Sequence, residues 1–343
     1  MDKVILSSAQ RAKTQFPRDE LLSRLIVSDA TFLTLREKFA FLSALPRILA
    51  DKDGPGSFEE RFPLVSIDDI SVCVGRVFSR VRWDGRAALK KALVSLKILE
   101  SFGIRCVCFD SDDFPAMLRE MRDPPFMIFY RGNLDVLRRK CVSLVGTRRA
   151  SPQSKRACEE FARAACDDGL CVVSGLAFGI DAAGHKGALL SRTPATCAVL
   201  PSGIDTITPQ SHTALAARIL ESGGLILSEY APGTPALQFR FVQRNRIVAA
   251  LSPATVVIQA PAGSGAMITA GLALDYNREV LFHNQCFSKE AIAINEISEL
   301  QWKKLIAQGK KVDYKLSDTP RGFVEDGARV ISDYSEFKEL TNG

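Results

Sequence analysis

Histidine is scarce: His185, His212 and His283 are the only three among 343 residues. Ser174 and Ser264 come with no evident general base, so neither reads as an activated nucleophile. Asp181, Asp205 and Glu229 have no histidine or cysteine partners at metal-ligand spacing. His185 falls within a helical stretch and is expected to be structural. The expectation is no catalytic set, no metal and no cofactor, and therefore a binding protein rather than an enzyme. The nine cysteines contain no Cys-x-x-Cys pair, the nearest two being Cys106 and Cys108. Met1-Asp2-Lys3 opens a polar, mixed stretch with no secretory pattern, so reduced thiols and a cytoplasmic location are expected. No apolar run approaches the roughly 20 residues of a membrane helix. Internal repeats and low-complexity tracts are also missing.

What is present is material for a sizeable core: 46% of the residues are hydrophobic and 24% charged. The net charge of +6 permits a nucleic-acid partner without demanding one. Residues 1–100 read as helical, around a break at Asp53-Gly54-Pro55-Gly56-Ser57. A transitional stretch follows, with a strand at Cys106–Phe109 and a turn at Asp123-Pro124-Pro125. Residues 101–343 are expected to form one extended domain, with a C-terminal extension from about residue 285 that contains a helix at Asn295–Ile306 and a piece, Phe323–Ile331, returning to the main domain.

From Cys141 to Phe282 the texture is strand, loop, helix, repeated. Short apolar runs stand at Val142–Val145, Cys171–Val173, Thr196–Leu200, Leu225–Leu227, Thr255–Ile258 and Glu279–Leu281. Helical segments separate them at Ser154–Asp167, Asp181–Leu190, His212–Glu221, Val242–Leu251 and Ala266–Tyr276. Fully apolar strands alternating with amphipathic helices predict an α/β fold, a doubly wound, mainly parallel, Rossmann-like sheet behind a small helical N-terminal domain. Cys141, Cys171 and Cys197 fall on these strands and belong to the core. Ser151, Pro152 and Gly169 supply the cap, first turn and stop of one helix.

Ligands of such sheets bind outside the carboxyl ends of the strands. The loops there begin Gly146-Thr147-Arg148-Arg149, Ser174-Gly175-Leu176, Pro201-Ser202-Gly203, Ser228-Glu229-Tyr230 and Ala260-Pro261-Ala262-Gly263-Ser264-Gly265. One glycine explains a tight turn; five such loops beside Arg148 and Arg149 predict an anion-binding rim. The first loop lacks the later glycines of G-x-G-x-x-G, and the second strand ends in Ser174 rather than a carboxylate, which argues against NAD. No G-x-x-x-x-G-K-[ST] occurs, which argues against a P-loop nucleotidase. Phe239-Arg240-Phe241-Val242-Gln243-Arg244-Asn245-Arg246 adds arginine forks for phosphate, and aromatic rings that suit either base stacking or the core.

At these residues the chain resembles the DNA-processing protein A (DprA/Smf) family. The resemblance rests on Phe114-Pro115, Arg131-Gly132, Val145-Gly146-Thr147-Arg148-Arg149, Ser174-Gly175-Leu176-Ala177 with Gly179-Ile180-Asp181, Leu227-Ser228-Glu229 with Pro232-Gly233-Thr234-Pro235, Arg244-Asn245-Arg246-Ile247 and Ser264-Gly265-Ala266. It implies a homodimer that binds single-stranded DNA without strong sequence preference and loads the RecA recombinase during natural transformation. By position it puts Arg148, Lys186, Arg244 and Arg246 in or near the DNA groove, and together with the glycine-bearing rim and the 239–246 segment the expected DNA contacts are Gly146, Arg148, Arg149, Gly175, Lys186, Phe241, Gln243, Arg244, Asn245, Arg246, Ser264 and Gly265. The chain departs from the family pattern at Phe178 and Gln243, where basic residues are common, and at Ile207-Thr208-Pro209. The N-terminal helices are compatible with a sterile-alpha-motif-like or helix-hairpin-helix module. Two alternatives stay open: a phosphoribohydrolase-type nucleotide-processing enzyme, for which Glu229 is the nearest candidate acid, and a nucleotide-binding sensor.

Overall fold

A computed structural model describes residues 16–52, 56–311 and 318–342. The chain's first residues and positions 53–55 of the Gly/Pro break lie outside the described residues. Among the described residues five helices come first: α1 (Arg18–Asp29), α2 (Leu35–Ala50), α3 (Phe58–Arg61), α4 (Ile67–Val74) and α5 (Gly85–Phe102). Local chemistry sets their ends. Thr34 and Glu37 exchange side-chain-to-amide bonds at the start of α2, a capping box. Asp84 accepts from the amides of Arg86 and Ala87 to start α5, and Gly103, at φ +60°, ends it.

These helices do not stand apart. Leu21, Leu25, Phe41, Leu96 and Leu99 share one apolar core with Cys106, Phe129 and Ile226 of the sheet and with Leu200 just beyond β5. The Arg24 guanidinium adds a two-pronged bond to Asp110, at 2.9 and 3.0 Å. Ser95 of α5 donates to the Pro232 carbonyl at 2.8 Å, tying the helices to the loop beyond the sheet.

The remaining elements are β1 (Arg105–Cys108), α6 (Ala116–Arg119), β2 (Met127–Gly132), β3 (Cys141–Gly146), α7 (Pro152–Asp167), β4 (Cys171–Ser174), α8 (Ile180–Ala188), β5 (Thr196–Val199), α9 (Thr213–Glu221), β6 (Leu225–Ser228), α10 (Gln238–Ala250), β7 (Ala254–Gln259), α11 (Gly265–Asp275), β8 (Glu279–His283), α12 (Lys289–Ala307), α13 (Pro320–Glu325), β9 (Arg329–Ile331) and α14 (Tyr334–Asn342). The sheet runs β1-β2-β6-β5-β4-β3-β7-β8-β9. Pairings from β6 to β9 are parallel, and β1–β2 and β2–β6 are antiparallel. The expected doubly wound, mainly parallel fold is therefore present. The chain winds from β3 through β4, β5 and β6, then returns to the other side of β3 as β7. That reversal opens a crevice at the carboxyl ends of β3, β4 and β7.

All six strands expected between Cys141 and Phe282 are present, and α7 carries its expected punctuation. Ser151 accepts from the Ser154 amide at 3.1 Å, Pro152 is the first helical residue, and Gly169 follows at φ +89°. Strand β2 adds to the pattern read from the sequence, since Met127–Phe129 is an unbroken apolar run with neither alternation nor helical period. The helix expected at 295–306 begins earlier, at Lys289, because Ser288 caps it by accepting from the Ala291 amide. The Phe323–Ile331 piece does return: β9 pairs with β8, and Phe323 packs 5.6 Å from Phe282. Cys141, Cys171 and Cys197 are buried. No helix among the described residues is long and apolar enough to cross a membrane.

His185 is fully buried on α8. The Thr196 hydroxyl donates to the Val172 carbonyl at 2.8 Å, so it accepts at 2.7 Å from His185 Nδ1–H. Nε2 is buried with no hydrogen-bond partner among the described residues. Burial, reinforced by Arg244 and His212, lowers the His185 pKa to about 3. The unfolded chain therefore binds a proton below about pH 6.5 that the folded chain refuses. His185 thus contributes stability above that pH, and the contribution falls as pH drops toward 3. Denaturation at several pH values should show His185→Leu losing less stability on acidification than the parent. The difference in slope should approach about 1.4 kcal/mol per pH unit below pH 6. Parallel pH profiles would refute the assignment.

Candidate nucleic-acid interface

At the reversal point the crevice is a cavity of about 370 Å³. Gly146, Thr147, Arg148 and Arg149 approach from the end of β3, Gly175 and Ala177 from the loop after β4, Asp181 from the first turn of α8, and Phe241, Arg244 and Asn245 from α10. Ser264, Gly265 and Thr269 close it from the start of α11. The first loop is braced by the Thr147 amide, which donates to the Gln259 carbonyl at 2.7 Å, and by the Arg149 amide, which donates to Thr147 Oγ1 at 3.2 Å. This bracing leaves both arginine side chains exposed at the mouth. The Arg148 guanidinium lies 5.2 Å over the Phe241 ring, a cation–π contact that presents charge and aromatic surface together.

The floor is built differently. Arg244 is only 4% exposed, and its Nη1 donates to the Val199 carbonyl at 3.0 Å. Its guanidinium lies so close to Gly175 that a Cβ there would stand 1.4 Å from Nη1. Gly175 is therefore glycine because a buried arginine occupies the space of a side chain. Asp181 accepts from the amides of Gly175 (3.1 Å) and Ala177 (3.3 Å) and holds the loop after β4. Burial raises the Asp181 pKa, against the pull of Arg244, those two amides and Arg148. The charge of Arg244 is thus partly balanced inside the floor, while Arg148 and Arg149 remain available to a ligand.

On the opposite wall Ser264 is the N-cap of α11, yet its hydroxyl makes no capping bond. Ser264 Oγ is buried with no hydrogen-bond partner among the described residues, beside the first amides of the helix. Asn245 Nδ2 donates to the Gly265 carbonyl at 3.2 Å, joining α10 to this wall. Two arginines, a spare hydroxyl and a helix amino terminus face one space, which suits a phosphodiester.

Nine of the twelve residues expected to contact DNA line this cavity: Gly146, Arg148, Arg149, Gly175, Phe241, Arg244, Asn245, Ser264 and Gly265. Lys186, Gln243 and Arg246 do not. Lys186 is exposed on α8, outside the lining. Gln243 faces away and accepts from the Tyr230 hydroxyl at 3.1 Å. Arg246 is ion-paired with Glu229 and reaches the Asp123 carbonyl at 2.5 Å. Phe178 is half exposed, edge-on to His212 at 4.8 Å, and also lies outside the lining. Two further residues of the lining go beyond the sequence expectation. Asp181 and Thr269, whose hydroxyl donates to the Gly265 carbonyl at 2.9 Å, stand in sequence blocks that carry the family resemblance, but neither is among the expected DNA contacts.

Residues 105–337 match the model of a family described as DNA recombination-mediator protein A. The chain belongs to that family. Among curated members of the DNA recombination-mediator protein A family, it is 39% identical over 169 residues to the DNA processing protein DprA of Streptococcus pneumoniae, covering 49% of this chain and 59% of that protein. It is 37% identical over 186 residues to Protein Smf of Escherichia coli, covering 54% and 50%, and 33% identical over 199 residues to Protein Smf of Borreliella burgdorferi, covering 58% and 63%. The aligned part thus spans about half to three fifths of these relatives. The fold agrees with the crystal structure of DNA processing protein A from S. pneumoniae at a TM-score of 0.63 and 26% identity, over 93% of this chain and 96% of that one. A structure devoted to the single-stranded DNA binding mode of the Helicobacter pylori protein matches at a TM-score of 0.52 and 27% identity, over 69% and 95%.

Proposed function

We propose that this protein is a cytoplasmic recombination mediator that binds single-stranded DNA along the carboxyl edge of its sheet, without strong sequence preference. In this reading it acts as a homodimer and loads RecA onto the strand during DNA uptake. The observation that carries the binding step is the pairing of Arg148 with Phe241 at the mouth of a cavity whose far wall offers the free Ser264 hydroxyl and the α11 amino terminus. Arginine meets phosphate, the ring meets an unpaired base, and neither reads sequence. RecA loading and the dimer are supported by family membership alone.

The hydrolase alternative needs an acid near Ser264-Gly265. Glu229 lies outside the cavity lining and is ion-paired with Arg246. Asp181 lies inside but is engaged by two backbone amides. Neither carboxylate is placed to assist glycosidic cleavage, which favours the binding role. A gel shift of purified protein with single- and double-stranded oligonucleotides at several salt concentrations tests the reading. Single strands should bind more tightly, with log affinity falling linearly with log salt. Equal binding of both forms, or release of free base from a mononucleotide, would reject it. Strand coating by RecA in the presence of a single-strand-binding protein should be accelerated if the loading role holds, and unaffected if it does not.

A further inference from the structure

Gln243 and Arg246 line a second cavity of about 700 Å³ on the other side of α10, shared with Lys38 of α2, Tyr230, Phe239 and Arg240. One helix therefore separates two cavities, with Phe241 and Asn245 turned to the first and Phe239, Arg240 and Gln243 to the second. The start of α10 is unusually apolar for exposed surface: Leu237, the residue just before the helix, and Phe239 and Val242 within it are 43%, 52% and 45% exposed. Resting on the single-strand reading above, we propose that the strand gripped at Arg148 crosses this half of α10 and places a further nucleotide in the cavity between α10 and the N-terminal helices.

Three features fit a nucleotide there. The Arg240 guanidinium lies 5.2 Å from the centre of the Tyr230 ring and 5.3 Å from that of the Phe239 ring, grouping one cation with two aromatic rings, a set that suits an unpaired base and its phosphate. Lys38 carries three donors, and its described hydrogen bond, to the Ser28 carbonyl at 2.9 Å, uses one. Burial pulls the Lys38 pKa down to about 8, opposed by Glu229 and Asp29 and assisted by Arg246, so a phosphate nearby would relieve a real cost. Glu229 bonds Arg246 through one oxygen, while its Oε1 is buried with no hydrogen-bond partner among the described residues. Glu229 lines the cavity, so a small side-chain movement would let that oxygen accept from a ring N–H such as thymine N3–H. The N-terminal helices would then form half of a binding cleft as well as a cover for the sheet.

The test is a length series of labelled oligothymidines, from about 4 to about 16 nucleotides, the range of site sizes for single-strand-binding folds. Wild-type affinity should rise until both cavities are filled. For Phe239→Ala, and separately Lys38→Gln, the loss should grow with length, reaching about tenfold on the longest oligomers. Phe239 is half exposed, so its replacement should leave the fold intact. On the wild-type protein, oligomers with 5-iodouracil along their length should crosslink to Tyr230 or Phe239 only when long enough to pass α10. Losses that do not grow with length, or crosslinks that never leave the Arg148 loop, would overturn the inference while leaving the first site standing. Failure of the wild-type protein to bind any oligomer would overturn both readings.

Discussion

Arg148→Ala is expected to weaken binding of a short oligothymidine by ten- to a hundredfold while leaving the protein folded. The magnitude follows from the value of a hydrogen bond to a charged group, about 1.5–3 kcal/mol, once the guanidinium no longer meets phosphate. Arg148 is exposed, and its described contact is the face of Phe241, so stability should change by less than about 0.5 kcal/mol. The slope of log affinity against log salt should shrink by about 0.7 for each phosphate that the variant no longer neutralises. Fluorescence anisotropy at several salt concentrations reads both quantities. An unchanged affinity and slope would remove Arg148 from the interface. Phe241→Leu, which keeps the charge and removes the ring, should weaken binding with the salt slope intact, because stacking releases no counterions.

The second large effect is on the floor. In Gly175→Ala the new methyl would stand 1.4 Å from Arg244 Nη1 and 2.2 Å from Cζ. Arg244 is the inflexible partner here, because its guanidinium is buried and bonded to the Val199 carbonyl. Moving it strands a buried charge and disturbs the Asp181 loop, so a loss of about 3 kcal/mol or more is expected, together with loss of binding. The clash itself is tested by a double-mutant cycle. Arg244→Ala alone should also destabilise by about 3 kcal/mol, since it leaves Asp181 without its buried countercharge. The double variant should be less damaged than the sum of the two, because removing the guanidinium makes room for the methyl. Additive losses in denaturant titrations would show that the two residues do not share that space.

The floor also shows how far the sequence could be read. Arg244 shares its helical spacing with Ile247, Val248 and Leu251, positions three, four and seven residues on, and all four are buried. That period pointed inward and the residue type pointed to phosphate; the structure buries Arg244 and sets its guanidinium in the floor of the cavity. Arg246 and Gln243 turn to the other side of α10, and their partners Glu229 and Tyr230 lie 17 and 13 residues away in sequence, out of reach of any local pattern. The six strands and their glycine-bearing loops were legible because buried parallel strands must be short, apolar and punctuated. Strand β2 was not, since an antiparallel partner far along the chain, Ser228 opposite Phe129, defines it. Lys186 faces outward on the exposed side of a helix whose other residues from Ile180 to Ala188 are buried, so its charge belongs to the surface rather than the cavity. The cleft beside the N-terminal helices had no counterpart in the sequence, because it forms only when α2 packs beside Glu229 and α10.

The central claim is that phosphates lie along the carboxyl edge of the sheet at the crevice between β3, β4 and β7. Hydrogen exchange with and without a saturating single-stranded oligonucleotide tests it most directly. The amides of Thr147–Arg149, the first turn of α11 at Gly265–Met267 and the amino-terminal half of α10 should exchange more slowly in the complex. Protection confined instead to the opposite edge, around Arg105 and Arg138–Lys140, would contradict the account.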